Sequence, residues 1–62
     1  MIEIAEELEA LAARMLALGA EMEFFGGFNA HLVAHGRELV GAGLIASDWA
    51  KNLREEANHE NP

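Results

Sequence analysis

The chain has 62 residues, no cysteine, and eleven acidic against four basic residues, for a formal net charge of −7. That length makes one domain at most, which buries only ~60% of the surface its unfolded form exposes; without disulfides or thiolate metal sites, extra burial is expected from association with another chain. The charge repels phosphate backbones and anionic lipid, which argues against direct nucleic-acid binding and for a protein partner, one with a basic surface included.

The first nine residues, MIEIAEELE, are acidic where a secretory or mitochondrial signal is basic. No run approaches ~18 uninterrupted apolar residues, so neither export nor a membrane span is expected, and the chain reads as cytoplasmic. Large apolar residues then fall at Ile4, Leu8, Leu11, Met15, Leu18, Met22 and Phe25, alternating steps of four and three. This is a heptad seam over three repeats, and it predicts a helix over residues 2–25 whose seam serves as an oligomer interface. Ala5, Ala12, Gly19 and Gly26 each follow one seam residue, a row of small side chains that lets a partner helix approach closely. Alanine, leucine, glutamate and methionine dominate the segment, and Glu3, Glu6, Glu7 and Glu9 place negative charge near the positive end of the helix dipole.

Gly26 and Gly27 end this helix, since two adjacent residues of high backbone freedom disfavour its continuation. Asn29 is a suitable N-cap for a second helix, whose apolar face reads Leu32, Val33, Leu39 and Val40 with Gly36 placed for close approach to another backbone. Gly41 and Gly43 fit a helix end, and Ser47 with Asp48 a new N-cap, so a break is expected near 43–46 and helices at 29–42 and 47–58. One kinked helix over 29–57 is the competing reading. The last helix is expected to bury Trp49 and Leu53, and residues 58–62 form a polar tail expected to fray. The fold class is therefore all-α: a single small domain, a helical hairpin or three-helix chain, packing as a dimeric helical bundle.

Chemistry is sparse. His31 and His35 stand one helical turn apart, with Glu38 three residues on, a spacing that can ligate zinc or a similar ion. The plainer reading is a half-buried polar edge beside Leu32 and Leu39, because H-x-x-x-H without a catalytic glutamate between the histidines is a weak motif. The early glutamates lie where solvent and the helix dipole keep them ionised, unlike a general acid held in a cleft. Ser47 is the only serine, and threonine, tyrosine and cysteine are absent, which leaves little for nucleophilic catalysis. Gly41-Ala42-Gly43 follows no strand and leads to no lysine in register, so it is no phosphate loop. A helix-turn-helix reading founders on a last helix whose only bases are Lys51 and Arg54. No enzyme and no cofactor are expected.

What remains is an interaction module. It is expected to self-associate as a homodimer and to act by binding another protein, as a regulator or inhibitor, with Phe24, Phe28, Glu21 and Glu23 as partner-binding residues. The small, acidic, cysteine-free profile is similar in general character to inhibitors made by phages and mobile elements, acidic anti-CRISPR proteins among them, which block nucleic-acid-binding complexes. That likeness is one of profile, and no motif carries it. A metal-binding bundle using His31 and His35 is the other alternative.

Overall fold

The computed structural model describes residues 1–60, with side chains through residue 58. Two helices, α1 (Ile2–Phe25) and α2 (Ala30–Glu60), pack against each other along a rod with extents of 53 × 13 × 11 Å. Among the described residues there is no strand, and no helix is long and apolar enough to cross a membrane.

The bounds of α1 coincide with those read from the heptad pattern. Its first intrahelical bond runs from the Ala5 amide to the Met1 carbonyl, 2.9 Å. The chain leaves α1 through Gly26, still right-handed at φ −64°, and reverses at Gly27, whose φ of +54° is a left-handed conformation that glycine adopts without a Cβ clash. A bond of 2.8 Å from the Asn29 amide to the Gly26 carbonyl closes the turn. Asn29 then caps α2 as anticipated, its Oδ1 accepting the Leu32 amide at 3.1 Å.

The second helix corrects the three-helix reading. It continues without interruption through the stretch where a break was expected, and Ser47 stands in its interior with no new helix to cap. Gly43 is used for approach. A Cβ there would sit 3.1 Å from Leu16 Cγ and 3.2 Å from Met15 Cβ, so the missing side chain lets α1 lie against the backbone of α2. Ala46 beside it is buried. A glycine that gains a helix–helix contact offsets the ~1 kcal/mol it costs the helix interior, and no break results. The expected tail is partly helical, since α2 runs to Glu60; Asn61 and Pro62 lie outside the described residues.

Small residues form the seam between the helices. Ala5, Ala12 and Gly19 are the buried residues of α1, Gly26 continues the row, and α2 contributes Gly36, Gly43, Ala46 and Ala50. At the closest point a Cβ on Gly19 would lie 2.7 Å from the Gly36 carbonyl oxygen, and one on Gly36 would lie 2.7 Å from that of Gly19. Counting one heptad outward along antiparallel helices brings Ala12 level with Gly43, and a second brings Ala5 level with Ala50. The close approach read from the small row and from Gly36 is thus between the two helices of one chain.

Candidate functional site

With alanine and glycine inside, the larger side chains are displaced outward. Ala5, Ala12, Ala46 and Ala50 are the buried apolar side chains, and among the described residues none larger than alanine is fully buried. The seam residues Leu8, Met15 and Met22 are half-buried along its edge. The alternate row lies open: Ile4 is 53% exposed, Leu11 49%, Leu18 53% and Phe25 73%. Trp49, expected to be buried, is 58% exposed, because α2 turns its small Ala46 and Ala50 toward α1 instead; Leu53 is half-buried.

Helix geometry places these side chains together. At ~100° per residue, both large rows of α1 lie to one side of its small row. In the antiparallel α2 the sense of rotation is reversed, which brings Leu32, Leu39, Leu53 and Trp49 to that same side, with Ile45 at its outer margin. The two inter-helix ion pairs lie on the opposite side, whereas His35, four residues before Leu39, stands at the turn end of the apolar side with Glu38 beside it. Arg54 donates to both Glu9 oxygens, the Nη2–Oε2 bond being 2.9 Å, and Arg37 Nε donates to Glu23 Oε1 at 3.2 Å. The hydrogen bond from Arg54 is the main cause holding the Glu9 carboxyl below its ordinary range; desolvation opposes it and the charge of Arg54 adds to it. One side of the hairpin carries most of the exposed large apolar residues; the other is crossed by the two inter-helix ion pairs and carries exposed Leu44, with Leu16, Val33 and Val40 half-buried beside the seam.

A second exposed group sits at the turn. Phe24 and Phe28 are outside the apolar face and solvated, with Phe28 fully exposed; Phe24 meets Phe25 edge-on with centroids 4.9 Å apart. Of the two acids read with them, Glu21 is exposed, while Glu23 is half-buried and engaged with Arg37. Beyond the Phe24–Phe25 contact, side chains this open contribute little to packing within the hairpin.

His31, His35 and Glu38 share an exposed surface of α2. The rings of His31 and His35 stack with centroids 6.5 Å apart, and His35 Nδ1 lies 3.0 Å from Glu38 Oε1 on an exposed surface. Among the described residues, no group of three or more histidine, aspartate or glutamate side chains is gathered closely enough to hold a metal ion. Glu38 is engaged with His35.

Comparison with family models, with curated proteins and with solved structures returns no match. Trp49, expected to be buried, and Ile45 were not grouped with the α1 seam in the sequence reading. Their signal was present, since Ile45, Trp49 and Leu53 recur every fourth residue, but the break placed at 43–46 divided that row between two segments.

Proposed function

We propose that this chain is a non-enzymatic protein–protein interaction module of the cytoplasm, which self-associates and acts by binding another protein, as a regulator or inhibitor of it. One observation carries the reading: alanine and glycine fill the centre of the seam, and many of the large apolar side chains, Ile4, Leu11, Leu18 and Trp49 among them, stand open to water. A chain that packs itself with its smallest residues keeps its larger ones for contacts with other chains.

The aromatic tip is the surface assigned to the target. Exposed aromatic side chains supply large contact area at low entropic cost, and they dominate binding energy where they fill a pocket. Affinity capture from a native lysate with the wild-type chain and with Phe24→Asp and Phe28→Asp combined tests this. Retention of a discrete protein by the wild type and its loss with the variant, at unchanged helicity, is the expected result; equal retention by both removes the tip from the reading.

The start of α1 favours a second reading, an acidic inhibitor of a nucleic-acid-binding complex. Glu3, Glu6 and Glu7 are all exposed there, and among the described residues the ion pairs engage Glu9, Glu23 and Glu38 instead. Carboxylates presented this way can meet a basic groove. Capture that weakens steeply between low and physiological salt supports it, and capture indifferent to salt argues against charge mimicry.

A further inference from the structure

We infer that the occupant of the apolar face is a second copy of this chain, seated on α1 and α2 together and leaving Phe24 and Phe28 outside the joint. The inference rests on the module reading above and deepens it by assigning self-association to one face. The first argument is area. The chain exposes 4716 Å², whereas a compact monomer of 6.7 kDa exposes about 3,900 Å². The surplus, about 800 Å², belongs to the 53 × 13 × 11 Å rod as a whole, and it is of the order that one partner contributes to an interface of standard size.

The second argument is composition. The face carries Ile4, Leu11, Leu18 and Trp49 open to water, flanked by half-buried Leu8, Met15, Met22, Leu39 and Leu53. Two helices offering apolar side chains at heptad and four-residue spacing on one side are half of a four-helix core. The deficit of burial belongs to every copy of the chain, so the occupant must be available to every copy. A two-fold pairing of identical faces meets that condition, each copy covering the other with the surface it needs covered.

The third is the placement of charge. Among the described residues the two inter-helix ion pairs, Glu9 with Arg54 and Glu23 with Arg37, bridge the opposite side of the hairpin. Pairing through the apolar face leaves these two wet, and the exposed His35–Glu38 pair stands at the turn end of that face.

The test is the solution mass of the purified chain, by sedimentation and native mass spectrometry at micromolar concentration, for the wild type and three variants. Twice the 6.7 kDa chain mass is expected for the wild type. Trp49→Lys and Leu11→Lys, both on the face, are expected to weaken the dimer by about thirty-fold or more, the loss typical of a central anchor. Leu44→Lys, equally open at 59% but on the ion-pair side, is expected to leave the mass unchanged. Should either face variant fail to fold, emission of the single tryptophan in the wild type gives the same answer: it shifts to the red on dilution, over the range in which the mass halves. A folded wild-type monomer, a dimer that survives both face variants, or emission that ignores dilution overturns the inference. A monomer that still holds its target through the tip removes self-association alone, and a dimer whose capture ignores the tip removes the target site alone.

Discussion

Gly19 and Gly41 are both helical glycines, and the same substitution is expected to move them in opposite directions. A Cβ on Gly19 meets the Gly36 carbonyl at 2.7 Å and the Val40 amide nitrogen at 3.0 Å, backbone atoms that yield only if the helices part. Gly19→Ala gains ~1 kcal/mol of helix propensity against ~1–3 kcal/mol of overpacking, and a net loss is expected. Nothing lies within 4 Å of a Cβ on Gly41, so Gly41→Ala is expected to stabilise by ~0.5–1 kcal/mol. Thermal melts at equal chain concentration check both, at ~4–8 °C per kcal/mol for a domain of this size. The Glu9–Arg54 pair makes a pH-dependent prediction of a different kind. Because the folded Glu9 carboxyl titrates below its unfolded value, its contribution is present above the unfolded pKa and is lost as pH falls through the folded one. Glu9→Gln is therefore expected to melt below the wild type at neutral pH, by a small margin for so exposed a pair, with the two curves converging on acidification through the carboxylate range.

At the scale of the element, α1 and the start of α2 were legible and the continuity of α2 was not, for a reason particular to glycine. The end of α1 rests on two adjacent glycines and a capping asparagine, signals that agree with one another. Gly43 has two opposite uses, as a helix end or as a place where another helix lies close, and only the position of Leu16 and Met15 decides between them. Ser47 was misread in consequence. A test follows from its place inside α2: Ser47→Ala is expected to be neutral or stabilising by a few tenths of a kcal/mol, where loss of a true N-cap costs ~1 kcal/mol. Amide hydrogen exchange across residues 43–47 is expected to be as slow as in the flanking turns. The seam was legible as a pattern, but its orientation toward α2 was not. A large row and a small row run side by side along α1, and periodicity does not say which of them the chain's own second helix takes.

For the whole molecule, the surface that remains is the consequence of that choice. Because the small row is consumed within the hairpin, the large row is left over, and the thermal midpoint is expected to rise with chain concentration as mass action favours the associated form. A midpoint that is flat over a hundredfold range of concentration would speak for a self-sufficient hairpin. The candidate site was half legible for the same reason. Residues of α1 and the aromatic turn were found from spacing and from the clustering of Phe24, Phe25 and Phe28, whereas Trp49 and Ile45 join the face only once α2 is unbroken and its direction of packing is set.

The heptad spacing of the small residues has one more implication. Gly19 lies against Gly36, yet a slide of the helices by seven residues would again oppose small with small, Gly19 with Gly43 and Ala12 with Ala50. The seam is a smooth rail with evenly spaced notches, and it does not choose among them. The stop is the short reversal at Gly27 and Phe28, with the ion pairs at Glu9 and Glu23 as latches. Lengthening that reversal by seven residues would free the rail, and such a chain is expected to populate two registers where this one holds a single register.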